Sequence, residues 1–367
     1  MEQLGVGAAL VDGELVAGDV ALDGGRVHQV GVPVSGGHGL AVPGFVDLQV
    51  NGFAGVDFLD PGADGYGRAA DALLTTGVTA YQPTFICSPE STYRSALAAA
   101  AAAQRSVPAP RLLGVHLEGP FLSPAFPGAH DPAHIIPPDH ALAERLCAGG
   151  PVTYMTLAPE QPGALELVSH LVRQGITVAL GHCDAGAETA HAAFDRGARA
   201  VTHLHNAQRR WRARDPGVAG VALTRRDVVV QAIVDGIHLA RETTLAAFSA
   251  ARGRFALVTD AIEAAGLPSG TYRLGDREVE VADGAVRLAD GTLAGSVLTM
   301  DVAVRNLVDL GIPIVEAVEA ATRVPAGLVG RPELGTLRPG TPADIVVLDD
   351  DLRVVRTLVD GVVRGAA

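Results

Sequence analysis

Residues 177–206 read TVALGHCDAGAETAHAAFDRGARAVTHLHN. An apolar run ends in His182, a segment of helix formers follows, and a second apolar run ends in His203. The two histidines are 21 residues apart. One strand-plus-helix unit of a parallel α/β fold takes roughly 20 to 30 residues. The spacing therefore predicts that both histidines occupy the same place on two consecutive strands, at their carboxyl ends.

The same rhythm runs outward through the middle of the chain. Apolar runs that end in polar residues recur at 40–51, 77–85, 111–119, 152–160, 175–182, 198–206, 227–236 and 254–261. Helix-like segments separate most of them, including LAAAAAAQ at 97–104, whose alanine tract reads as helix because alanine is the strongest helix former. Alternation of this kind implies a parallel sheet. An open doubly wound sheet would also alternate, but eight units are the number that closes a (β/α)₈ barrel, and barrel active sites form where the strands end.

The two ends of the chain differ from the middle. Residues 8–33 and 341–365 are short alternating runs broken by DG, GG and DDD, which read as antiparallel hairpins. The predicted organisation is α/β: a TIM-like barrel over 41–334 and a small β-sandwich domain built from 1–40 and 335–367. A β-hairpin insertion is expected at 268–294.

Composition narrows the class. The 367 residues are 48% hydrophobic but only 4% aromatic, with a net charge of −13. That charge argues against nucleic acid or an anionic membrane as partner, since both reward positive surfaces. No lysine occurs, and all 28 basic residues are arginine. A Schiff-base lysine, a P-loop lysine and a carboxylated-lysine metal bridge are thereby excluded. Cys87, Cys147 and Cys183 form no disulfide or zinc-knuckle pattern. Neither a signal peptide nor a spanning segment is legible, so a cytoplasmic protein is expected.

Read in order, the strand ends offer Gln49 and Asn51, Glu118, His182, His203, Asp235 with His238, and Asp260. A lone histidine is more often hydrogen-bonded than ligating. Two at matched strand ends, with a carboxylate, make a common divalent-metal set. A further carboxylate near a metal-activated water would serve as general base; for Asp260 an N-cap is the competing reading. His205 is placed behind the ligands, and His134, His140, His170 and His191 are read as solvated. The run Arg209, Arg210, Arg212, Arg214 is either a solvated charge run or a trap for a small anion such as phosphate.

Taken together, PGFVDLQVNGFAGVDF, HLEGPFLSPAFPGAHDP, LGHCDA, VTHLHNA, RDPGVAG, VDGIH, VTDAIEAAG and DGTLAGSVLTMDVAVRNLV resemble the N-acetylglucosamine-6-phosphate deacetylase family of the amidohydrolase superfamily. The resemblance runs in order from about residue 41 to 310. It implies Glu118, His182 and His203 as metal ligands, and Asp260 as the base that activates the metal's water and then protonates the leaving amine. It implies His130 as a group on the acetamide carbonyl, backbone contacts at Asn206 and Ala207, and sugar-phosphate recognition by Arg214 and His238. Gln49 and Asn51 stand where many relatives have an HxH pair, which argues for one metal per subunit. Zinc suits the set best, with Fe2+, Mn2+ and Co2+ as alternatives. A homodimer is implied as well. Phe126, Pro127 and Gln208 depart from the family pattern near the substrate. They leave the galactosamine epimer as an alternative substrate, and a catalytically silent sugar-phosphate sensor as the reading from another class.

Overall fold

The computed structural model describes residues 2–366, with no side-chain description for Ala366. All eight apolar runs contribute barrel strands: β1 (Phe45–Val50), β2 (Val78–Phe85), β3 (Val115–Glu118), β4 (Val152–Leu157), β5 (Thr177–Leu180), β6 (Ala200–Val201), β7 (Val229–Ala232) and β8 (Phe255–Leu257). They pair in parallel in chain order, with registers such as Val46↔Ala80, Leu117↔Met155, Leu180↔Val201 and Ala232↔Leu257. The ring closes just beyond the strand ends, where Asp260 N–H donates to Gln49 O at 2.9 Å and Asn51 N–H to Ala261 O at 2.7 Å. Every residue of β2 is buried. That is why these strands read as continuous apolar runs: a parallel strand is covered on both faces.

Helices α1 (Gly65–Thr75), α2 (Glu90–Ser106), α3 (His140–Ala148), α4 (Ala164–Arg173), α5 (Ala187–Asp195), α6 (Gly217–Thr224) and α7 (Arg241–Ala250) return the chain between successive strands. In α4 the buried residues Ala164, Leu167, Val168 and Leu171 repeat at helical spacing and face the barrel. Fully burying a leucine or valine side chain contributes about 1.5–3 kcal/mol. The alanine tract does lie in α2, where its small side chains let the helix pack closely.

Both chain ends build the second layer. A six-stranded sheet runs in the order 362–366, 354–359, 345–348, 40–43, 8–11, 14–17. It faces a three-stranded sheet of 2–3, 19–23 and 26–32 across Val6, Val20, Leu22, Val27, Ile345 and Leu358. The run 40–51 is thus two strands in two sheets. They divide at Gly44, where any Cβ would overlap the Thr79 side chain.

The stretch after β8 folds as an antiparallel sheet of Gly270–Leu274, Arg277–Ala282, Ala285–Arg287 and Leu293–Ser296. Its last strand returns to the barrel rim, with Ser296 N–H donating to Asp260 O at 2.8 Å. A further helix, α8 (Met300–Asp309), follows.

Candidate active site at the barrel mouth

Glu118 is the last residue of β3; His182, His203 and Asp260 lie just past β5, β6 and β8. His182, His203 and Asp260 all have left-handed backbones, with φ of +46°, +28° and +49°. Such conformations cost about 1–3 kcal/mol each outside glycine. Here they end each strand abruptly and turn the side chain over the barrel axis. Ala207 and His205 share the conformation, so the loop after β6 is shaped by three such residues.

The result is convergence. His203 Nε2 lies 2.9 Å from Glu118 Oε1, His182 Nε2 lies 3.2 Å from the same oxygen, and the two imidazole nitrogens are 3.1 Å apart. All three residues are buried. Nδ1 of His182 is 3.0 Å from the carbonyl oxygen of Phe126 and donates its proton there. In the neutral ring Nε2 then carries a lone pair, as a metal-ligating histidine requires. Three corners of a tetrahedron around a cation bonded at ~2.0–2.1 Å would be about 3.3 Å apart. The observed spacing and the donor chemistry fit a divalent metal. Burial opposes ionisation of Glu118, but the imidazoles gathered around it, His182 and His203 closest, outweigh that and hold the carboxyl well below its usual range. Burial likewise opposes protonation of His203, and Glu118 more than compensates.

His130 reaches the same place on a loop from β3. Its ring nitrogen also comes within metal-ligating distance of Glu118 and His182, and its Nε2 is 3.6 Å from Glu118 Oε2. The Glu118–His182–His203 set is tighter, and the proton on His130 separates the roles. The backbone N–H of Cys87 donates to His130 Nδ1 at 3.1 Å. The neutral ring must then carry its proton on Nε2, which makes that atom a donor and not a ligand. Burial, with His182 beside it, depresses His130 to a pKa of about 3, so it stays neutral.

Asp260 is buried, and burial together with the Glu118 charge raises its pKa to about 6. Its Oδ1 accepts from Asn51 Nδ2 at 2.7 Å and from Gln49 Nε2 at 3.1 Å.

A cavity of about 470 Å³ opens above these groups, a size suited to a small ligand. Glu118, His130, His182, His203, Asn206, Ala207, His238, Asn51 and Asp260 line it. His238 is held by Asp235, whose Oδ2 accepts its Nδ1–H at 2.7 Å. Arg214 is not among the lining residues; it is exposed on the loop after β6. Arg209 is engaged by Asp184 at 2.8 Å and Asp215 at 2.7 Å, which makes it a brace of that loop. Gln208 turns inward and donates to Thr202 O at 2.7 Å. Asp290, Thr292, Leu293 and Gly295 of the inserted sheet also reach the cavity. Sequence reading took this stretch, DGTLAGS, into the resemblance but gave it no place in the site, because nothing in a hairpin signals which distant mouth it will cover.

Comparison with known proteins agrees with this geometry. Residues 40–364 match the model of the amidohydrolase family, a metal-dependent superfamily. The chain is 38% identical over 327 residues to an N-acetylgalactosamine-6-phosphate deacetylase of Escherichia coli O157:H7, covering 88% of this chain and 87% of that one. It is 39% identical over 342 residues to the N-acetylglucosamine-6-phosphate deacetylase of Mus musculus, covering 89% and 83%. The crystal structure of N-acetylglucosamine-6-phosphate deacetylase from Thermotoga maritima superposes with a TM-score of 0.93 at 32% identity, over 100% of both chains. A mutant of the Mycobacterium smegmatis enzyme, in complex with N-acetyl-D-glucosamine-6-phosphate, also gives 0.93 at 32% identity over 98% of each. The chain belongs to the amidohydrolase family, and within it to the N-acetylglucosamine-6-phosphate deacetylases.

Proposed function

We propose that this chain hydrolyses the acetamide of N-acetyl-D-glucosamine 6-phosphate to D-glucosamine 6-phosphate and acetate. The observation that carries the reading is the convergence of Glu118, His182 and His203 on one point, with Asp260 and the Nε2–H of His130 facing the same cavity. Glu118, His182 and His203 would hold one divalent cation, and zinc is the ion that two imidazoles and a carboxylate suit best. Such an ion, when bound, acidifies water and polarises a carbonyl.

The chain's own groups account for the proton transfers. Asp260 takes a proton from the attacking water as the new C–O bond forms. His130 donates its Nε2–H to the carbonyl oxygen as negative charge develops there. Asp260 then delivers its proton to the nitrogen as the C–N bond breaks. Asn206, Ala207 and His238 would hold the sugar phosphate, and remote binding of that kind assists the chemical step. The homodimer belongs to the same reading. Among the described residues no arginine lines the cavity, and Arg214, exposed on the loop after β6, would serve the phosphate bound by a second copy of the chain.

The galactosamine epimer is the second reading, since a relative bearing that name is as similar as those bearing the glucosamine name. Free-amine release from the two epimers and from unphosphorylated N-acetylglucosamine, each given to zinc-loaded protein, tests the proposal. Release from the first alone is expected. Loss of turnover in Asp260→Asn with metal retained is expected too, and an active Asp260→Asn protein would end the assigned role.

A further inference from the structure

Gln49 and Asn51 sit on one face of the chain at the end of β1, and both are buried. Nε2 of Gln49 is 3.0 Å from Glu118 Oε1 and 3.1 Å from Asp260 Oδ1. An amide nitrogen has two hydrogens, so it serves both carboxylates at once. The glutamate oxygen is the one on which both histidines converge. Asn51 adds a second donor to the same Asp260 oxygen at 2.7 Å.

The other ends of these amides are informative. Gln49 Oε1 and Asn51 Oδ1 are buried without a hydrogen-bond partner among the described residues. Each such group costs about 1–3 kcal/mol. Flipping the amides would not help, because it would aim their oxygens at carboxylate oxygens. Two neutral amides left half-satisfied in a barrel interior call for a reason beyond packing.

We propose that Gln49 is a positioning residue: a neutral strut that fixes Asp260 relative to the Glu118 end of the ligand set, with Asn51 locking the same carboxylate from the other side. Two donors saturate Oδ1 of Asp260. The other oxygen, Oδ2, is then left to take the proton from water and return it to the amine nitrogen. A glutamate at position 49 would bring a third carboxylate against the first two, so the strut has to be uncharged. The inference rests on the hydrolytic reading above.

The test compares Gln49→Met, Asn51→Leu and the double variant with the parent. Methionine keeps the length of the side chain and removes both donors. Three readouts are needed: metal per chain, KM and kcat. The strut predicts unchanged metal content, KM within about threefold, and kcat lower by 10- to 100-fold for Gln49→Met. It also predicts that the double variant loses less than the product of the two single losses, since both act on one oxygen. Loss of the metal in Gln49→Met would overturn the proposal, making Gln49 a support of the ligand site alone. An unchanged kcat, or fully multiplicative losses, would overturn it as well. A parent protein silent on every acetamido sugar phosphate would instead remove the underlying reading, so the two failures are told apart before any variant is made.

Discussion

The carbonyl oxygen of Phe126 lies 3.0 Å from Nδ1 of His182, a residue 56 positions further on. That bond fixes which nitrogen of the ring faces Glu118. It also ties the loop carrying His130 to the residues proposed to hold the metal, so on that reading one loop would both orient a ligand and supply a donor.

Gly128 makes the contact feasible. Its φ is +58°, and a Cβ there would stand 2.9 Å from Cε1 of His182. Gly128→Ala should push the ring aside, strain the loop and break the Phe126 bond. Losing such an orienting contact costs about 10- to 100-fold in metal affinity or activity. Competition with a chelator, read as metal retained against chelator concentration, should show it. Parent-like retention would mean that the loop yields and the ring does not.

In the proposed function His130 is a donor and not a ligand, because Cys87 N–H occupies its Nδ1. His130→Ala should therefore keep the metal and lower kcat by about 10²–10³, the loss typical of one oxyanion-stabilising donor. Elemental analysis beside steady-state kinetics separates the two roles. A metal-free His130→Ala protein would reverse the assignment.

What the sequence made legible, and what it hid, follows from range. The eight strands and the polar residues at their ends were readable because burial on both faces and the strand–helix period leave a local trace. Glu118, His182, His203 and Asp260 are each marked by position in that period. The division at Gly44 left no such trace, since it depends on Thr79 packing against it. The coupling of Gln49 and Asn51 to Asp260 spans 211 and 209 residues, and no spacing rule reaches that far. Arg209 illustrates the opposite case: its charge is visible in sequence, while the Asp184 and Asp215 that decide between a free and an engaged cation are visible only in the fold.

Arg111 joins the barrel to the terminal sheets. Its guanidinium grips Asp344 with two bonds, of 2.7 and 3.0 Å, and reaches Asp360 at 2.6 Å. The Asp344 side chain is 1% exposed and the Arg111 side chain 24%. Arg111→Ala should leave Asp344 buried with, among the described residues, only the Asp360 backbone N–H, 2.9 Å away, as a side-chain partner. Stranding one member of a buried pair costs about 3–5 kcal/mol. The partial exposure of Arg111 puts the expectation at the low end, about 3 kcal/mol. Arg111→Lys should recover only part of it, because an ammonium cannot make the paired contact. Urea unfolding midpoints would test this; a shift equivalent to less than about 1 kcal/mol for Arg111→Ala would show that the carboxylate finds water.

Asp47 lies outside the residues proposed to hold the metal, and its burial makes stability depend on pH. It is fully buried in β1 and accepts the Thr259 hydroxyl at 2.6 Å, with the backbone N–H groups of Gln49 and Thr259 at 3.2 and 3.3 Å. Burial is the largest influence; these bonds oppose it only in part, the Asp260 charge adds to it, and the pKa rises to about 7. In the unfolded chain it is near the ordinary 3.8. Below that value both states hold the proton. Between about 4 and 7 the folded state keeps it and the unfolded state has lost it, so rising pH favours unfolding. About three pH units at ~1.4 kcal/mol each give up to about 4 kcal/mol lost by pH 8. Asparagine preserves the shape and cannot ionise. The advantage of Asp47→Asn over the parent should therefore grow from pH 5 to pH 7 and level off near pH 8, measured by denaturant unfolding in the presence of chelator. Parallel stability curves for the two proteins would mean that the buried carboxylate is already charged throughout that range.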